Sequence, residues 1–306
     1  MSTSDLWPLA WETLGALGGY YGPAMAQAAG EVLPAGEWYG WLFAALMWEP
    51  EPLSAERLAV RAPYTALLLH RNRLARGVEL GMLAPVAEGE YHLTDAGHAA
   101  IHRIIAAAYA VMVEPHPRPL AELERLTGLL RRLVEASLAA AEPAVKGSLR
   151  LSRRIDPGAS APILAQIDQY LSDLNAFRDD AHVASWRPQG VGGPAWEAFT
   201  YLWRGQARTV DDLVTQLAFR HHTPTIYADA LQDLVGRGWV VETDGGASTA
   251  LSTGYEVTAQ GQTVRQAAEE KTDRVFFAPW GCLDEGELGE LKELLAGLRD
   301  GLKTDG

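Results

Sequence analysis

The sequence predicts a mainly α-helical protein with two small β-hairpins, in which one order of helices and hairpin occurs twice and further helices join the copies. Three observations carry that reading. Trp41 and Trp48 lie seven residues apart within WLFAALMW, as do Trp196 and Trp203 within WEAFTYLW. Seven residues is two helical turns, so each pair is expected on one buried stripe. In each half a later helix stops at glycine, Gly81-Met82-Leu83 in the first and Gly238-Trp239-Val240 in the second. Matching signatures then follow, Tyr91, Leu93, Thr94 and Gly97 against Tyr255, Val257, Thr258 and Gly261, with copies offset by about 155 to 165 residues.

In chain order, each copy reads as helix, helix, helix, hairpin, helix. The alternation at Tyr91 to Leu93 and at Tyr255 to Val257 marks the second strand, and Thr94 or Thr258 is placed to cap the helix after it. The first hairpin tip is short and acidic, Ala87-Glu88-Gly89-Glu90, whereas the second runs from Thr243 to Gly254 and holds Gly245 and Gly246. Between the copies, Leu120 to Ala141 reads as an amphipathic helix with Leu123, Leu126, Leu130, Leu133 and Leu138 near one face, ended by Pro143. Gly147 to Pro162, with Arg150, Arg153, Arg154, Pro157 and Gly158, reads as a linker. Helix resumes from Ile163 to about Trp186 before GVGGP opens the second copy. A last acidic helix, Asp284 to Leu302, is expected to pack through Leu288, Leu291, Leu294, Leu295 and Leu298.

The run of strand, wing, YHLTDAG and long helix resembles the MarR-type winged helix-turn-helix, over roughly residues 38–115 and again over 194–280. YHLTDAG is the closer match; YEVTAQG departs by one conservative valine. The later stretches NAFRDDAHVASW, GPAWEAFTYLWRG and EEKTDRVFFAPW are also similar to a group of bacterial helix-turn-helix proteins. The resemblance implies two winged helix-turn-helix domains, placed here at 1–117 (with its leading helices) and 191–282, a helical connector at 118–190 and a C-terminal helix at 283–306. It also implies a DNA-binding transcriptional regulator that responds to a small aromatic ligand. The flanking helices would serve dimerisation or pack the two domains together, and the repeat itself would let one chain act as a pseudo-dimer.

In a winged helix-turn-helix the third helix enters the major groove. The first copy reads PYTALLLHRNRLARG there, so Thr65, His70, Arg71, Arg73 and Arg76 are the candidates for phosphate or guanine edges. As solvated helix faces, the same arginines would instead pair with Glu56, Glu79 and Glu88. The second copy reads TPTIYADALQDLVGRG, where Asp229 and Asp233 would repel phosphate; Arg220, His221 and His222 just before it could meet the backbone.

A second function class stays open, a ligand-binding or catalytic protein that reuses tandem winged helices without reading DNA. Arg178, Asp179 and His182 lie within one helical turn, near Trp186, and are the candidate ligand contacts; the alternative is an ion-paired helix end. No catalytic residue is assigned. His98 with His102, His221 with His222, and Asp179 with His182 each supply at most two ligands where a closed zinc site needs four, so no metal is expected. Gln166-Ile167-Asp168 matches the short Gln-x-Asp form of a class of tandem winged-helix DNA glycosylases, although the surrounding sequence does not resemble that family. No Walker loop, GxGxxG, GxSxG or HExxH is present, and no cofactor is expected.

Composition fits these readings. A single cysteine, Cys282, excludes an intrachain disulfide and suits a reducing cytoplasm. MSTSDLWPLAWETLG is not a secretory signal, and the apolar runs Trp38 to Trp48 and Ile104 to Val113 fall short of a bilayer span, so a cytoplasmic location without membrane contact is expected. The net charge of -13 opposes an indiscriminate grip on phosphate. Yet the first fifty residues hold no Lys or Arg, while fourteen of the twenty-six lie between Arg57 and Arg154, which places any DNA-facing surface there.

Overall fold

The computed structural model describes residues 5–113, 117–243 and 253–303. The protein is mostly helical, with two antiparallel two-stranded hairpins. Helices α1 (Leu6–Val32), α2 (Gly40–Trp48), α3 (Ala55–Leu58) and α4 (Leu67–Glu79) lead into β1 (Leu83–Ala87) and β2 (Glu90–Leu93), then α5 (Asp95–Met112). Next come α6 (Leu120–Ala139), α7 (Gly147–Ser152) and α8 (Ile163–Trp186). The second copy follows as α9 (Gly193–Trp203), α10 (Val210–Gln216), α11 (Pro224–Gly236), β3 (Val240–Thr243), β4 (Gly254–Val257) and α12 (Ala259–Phe277), and α13 (Glu285–Lys303) ends the chain. The second hairpin tip, with Gly245 and Gly246, lies outside the described residues.

The repeat has one hydrogen-bond scheme. The Thr94 hydroxyl accepts from the Gly97 amide at 3.1 Å and donates to the Gly81 carbonyl at 2.7 Å. Thr258 does the same with Gly261 and Gly238, at 3.1 and 2.7 Å. The Thr94 amide reaches the Met82 carbonyl and the Thr258 amide the Trp239 carbonyl, both at 3.0 Å. This close seating explains the glycine three residues after each threonine: a Cβ on Gly97 would lie 2.3 Å from the Met82 oxygen, and one on Gly261 2.1 Å from that of Trp239. Tyr91 and Tyr255 match as well, their amides donating to Leu53 and Arg208 carbonyls at 2.9 and 2.8 Å. One side chain therefore ties strand, helix end and helix start together in each copy.

Two compact units make up the chain. The first comprises Met1–Ser54, Leu74–Asp180 and Asp273–Gly306; the second comprises Ala55–Arg73 and Ala181–Thr272. In the first unit, α1, on which Leu6, Leu9 and Leu17 are buried, packs on α5 and α13, and α6 packs on α13. Four of the five leucines expected inward on α6 are buried, whereas Leu138 is exposed. The 3.6-residue period carries the stripe from Leu133 to position 137, where buried Ser137 donates its hydroxyl to the Leu133 carbonyl at 2.8 Å.

The segment read as a linker is ordered instead. The Asp180 carboxylate accepts from the Ser148 and Leu149 amides, each at 2.9 Å, and so holds the start of α7. Arg153 pairs with fully buried Asp173 at 2.8 Å and Arg154 with Glu51 at 2.5 Å, so two of the three arginines of that segment, unlike exposed Arg150, are engaged in ion pairs. Their partners lie 20 and 103 residues away, out of reach of a local reading.

The second unit has its own core of Trp186, Trp196, Phe199, Tyr227, Leu231 and Trp239. Trp196 and Trp186 stack at 5.9 Å with an interplanar angle of 13°. Of the tryptophan pairs, Trp41 and Trp196 are the buried members; Trp48 and Trp203 are half-buried, each under a guanidinium, Arg154 at 5.9 Å and Arg265 at 4.9 Å.

Candidate nucleic-acid interface

The five residues expected to read DNA occupy different environments. His70 is 2% exposed and, among the described residues, neither ring nitrogen has a hydrogen-bond partner. Burial, reinforced by the Arg73 charge, holds its pKa below the ordinary 6.5, so it is neutral near pH 7. Thr65 lies before α4, and Arg220 donates to its hydroxyl at 3.3 Å. Arg71 is open to solvent, its side chain 64% exposed and only loosely paired with Glu56 at 3.4 Å. Arg73 is partly buried, which pulls its pKa down. Arg76 is shared between Glu37 at 3.1 Å and Glu79 at 3.0 Å.

The exposed residues early in α4 are Leu67, Leu68, Arg71 and Asn72, so Arg71 is the cation that this face presents. Asn72 is the member that motif reading passed over. The signal was available: Leu68, Arg71 and Asn72 are spaced three and four apart, whereas His70 and Leu74 fall on the opposite, buried side.

On α11 the outward positions are Thr225, Ile226, Asp229, Gln232 and Asp233. Asp233 pairs with Arg237 at 3.0 Å, and the Gln232 amide donates to Glu242 at 2.6 Å. The face is acidic. Of the three basic residues before it, Arg220 chelates Glu197 at 2.7 to 3.1 Å and the His222 Nε2 lies 2.8 Å from the Tyr64 carbonyl; His221 is exposed. The α10 start is fixed by a capping box, Thr209 accepting from the Asp212 amide while the Asp212 carboxylate accepts from that of Thr209, both at 3.0 Å.

The polar cluster on α8 divides between the units. Arg178, in the first, pairs with Asp273 at 3.1 Å and stands over the Trp7 and Phe276 rings, and its buried Nε has no partner among the described residues. Asp179 belongs to the same unit, but the buried carboxylate there is its neighbour Asp180. His182, in the second unit, places Nδ1 3.4 Å from the Thr272 hydroxyl and 4.0 Å from Glu269. Trp186 donates its indole N–H to the Tyr64 hydroxyl at 3.0 Å. Among the described residues no group of three or more His, Cys, Asp or Glu is placed to hold a metal; His98 pairs with Glu49 at 2.9 Å and stacks on His102. No described helix is long and apolar enough to cross a membrane.

Short helices followed by a longer one and a β-hairpin, capped into the next helix by the threonine scheme, define a helix-turn-helix protein. The chain belongs to the helix-turn-helix family, whose match covers residues 92–306, all of the second copy and the first from its second strand onward. Membership supports a DNA-binding regulatory role. No curated protein and no solved structure matches the chain.

Proposed function

We propose that this protein is a DNA-binding transcriptional regulator of MarR-like, tandem winged helix-turn-helix type, and that α4 is its reading helix. The observation that carries the proposal is the outward face of α4, where Arg71 and Asn72 stand exposed side by side. An arginine fork suits guanine O6 and N7, and an asparagine amide suits adenine N6 and N7. Arg73 and Arg76 would add phosphate contacts, which position a protein without reading sequence. Thr65 and His70, with their inward roles, would support the helix rather than touch DNA.

The test is fluorescence anisotropy of the full chain on a pool of random duplexes at two salt concentrations, alongside Arg71→Ala/Asn72→Ala and Arg71→Ala/Arg73→Ala/Arg76→Ala. Binding should weaken steeply with salt, and the triple variant should lose about one unit of log–log salt slope for each phosphate contact removed. Undiminished affinity in both variants would overturn the assignment to α4.

One observation favours a second reading, a ligand-binding or catalytic protein that keeps the two winged helices without reading DNA. The exposed face of α11 carries Asp229 and Asp233, and α11 lies inside the family match whereas α4 lies before it. Under this reading Arg178, Asp179, His182 and Trp186 are ligand contacts. Absence of DNA binding even at low salt would select it.

A further inference from the structure

The first unit contains a cavity of about 110 Å³ walled by α1, α2, α5, α8 and the turn after α7. Met25, Phe43, Ile105 and Met112 make most of it apolar. Into this wall Asp168 brings a carboxyl group. Its Oδ1 accepts from the Tyr21 hydroxyl at 3.2 Å, and among the described residues no Lys, Arg or His lines the cavity. The neighbouring Gln169 amide is already used, donating to the Ser152 carbonyl at 3.0 Å and to Asp173 at 2.8 Å. Asp168 is half-buried, and a carboxylate partly removed from water gains from a cation or further donors, for which a single neutral phenol is a weak substitute.

We propose that this cavity binds a small organic amine with one apolar ring, its ammonium paired to Asp168 and enclosed by aromatic side chains. The cavity alone is smaller than the about 150 Å³ that takes up benzene, but it opens to solvent on one side, so a one-ring amine would be held partly at its mouth. The chemistry agrees. Tyr21, Phe43 and Tyr109 bring aromatic rings to the lining, a ring face being able to attract an ammonium electrostatically, and the carboxylate supplies the opposite charge. The inference stands whether or not α4 reads DNA.

Binding should depend on pH. Burial raises the Asp168 pKa to about 7, with the Tyr21 hydrogen bond opposing the rise. The other titratable groups around it are Tyr21 on α1, with Tyr39 acting on it, and Tyr109 on α5, with Asp156 acting on that one. Both tyrosines are held above their ordinary 10 and stay neutral, so the titration between pH 6 and 8 is that of Asp168.

The test is calorimetric titration of the full chain with benzylamine at pH 6 and pH 8, with benzyl alcohol as the neutral isostere. Benzylamine should bind at pH 8 with a Kd of about 1 mM or tighter, at least roughly tenfold tighter than benzyl alcohol, and should weaken several-fold at pH 6. Asp168→Asn, which keeps the shape and removes the charge, should abolish the preference for the amine, and Ala108→Phe, which fills the cavity, should abolish binding. No binding at pH 8, equal affinity for amine and alcohol, or unchanged affinity in Asp168→Asn would each overturn the proposal. The amine and alcohol comparison uses the wild-type chain, so it decides even if a variant fails to fold.

Discussion

Arg220 grips both carboxylate oxygens of Glu197 at 2.7 to 3.1 Å, and its own carbonyl accepts from the Ala66 amide at 3.0 Å. Its guanidinium also reaches the Thr65 hydroxyl and lies over the Tyr64 and Phe219 rings at 5.5 and 4.6 Å. One side chain therefore seats the segment before α4 on the turn before α11. Gly193 completes that seat: a Cβ there would lie 2.2 Å from the Pro63 carbonyl oxygen.

Removing the Glu197 charge should leave Arg220 partly buried without its counter-ion. Breaking such a pair from one side costs about 3 kcal/mol. Urea unfolding of Glu197→Gln should show that loss with the m value unchanged. A loss below about 0.5 kcal/mol, the usual level of a surface change, would mean that the pair is no more than a surface contact.

The threonine scheme should be worth the same in both copies, because its distances are the same. Thr94→Ala and Thr258→Ala are each expected to cost about 1 kcal/mol. Gly97→Ala and Gly261→Ala should cost more, since the added carbon would overlap a backbone carbonyl that cannot swing aside. Wild-type stability in either glycine variant would show that the overlap is relieved cheaply.

His70 should make the protein acid-sensitive. Its folded pKa lies below 6.5, so below about pH 6.5 the unfolded chain binds a proton that the folded one does not. The contribution is therefore complete above that pH and is lost as pH falls toward the folded value, with a limiting slope of about 1.4 kcal/mol per pH unit. His70→Leu should flatten the dependence of Tm on pH between 6.5 and 5. Parallel profiles for variant and wild type would place the acid sensitivity elsewhere.

Asp168 works with the opposite sign. Its folded pKa of about 7 exceeds the ordinary 3.8, so between those values the folded state holds the extra proton and stability falls as pH rises. Asp168→Asn should be stabilising by at least about 1 kcal/mol at pH 8 and nearly neutral at pH 4. Thermal melts at the two pH values measure the difference. Equal effects at both would mean that the carboxyl is not desolvated.

Much of the fold is legible from short stretches. The helices at Ile163–Trp186 and Glu285–Lys303, the glycine stops, both second strands and the two threonine caps follow from residues within a turn or two of each other, because periodicity and capping are local. The DNA-binding candidates were read from a motif position that locates the helix; the spacing that sets Leu68, Arg71 and Asn72 against His70 and Leu74 was legible as well, but the motif does not use it.

What the sequence determined alone was therefore the order of elements, their repetition and the chemistry of their ends. Tertiary structure decided the rest. It turned His70 inward, engaged Arg220 with Glu197, made an ordered helix of the supposed linker by lending it Asp180, and grouped residues 55–73 with 181–272. It also assembled the cavity around Asp168 from side chains as far apart as Tyr21 and Gln169. The physical reason is common to all but His70, whose side of the helix the local spacing already marks. Burial and pairing depend on partners tens to more than a hundred residues away, which no local pattern encodes.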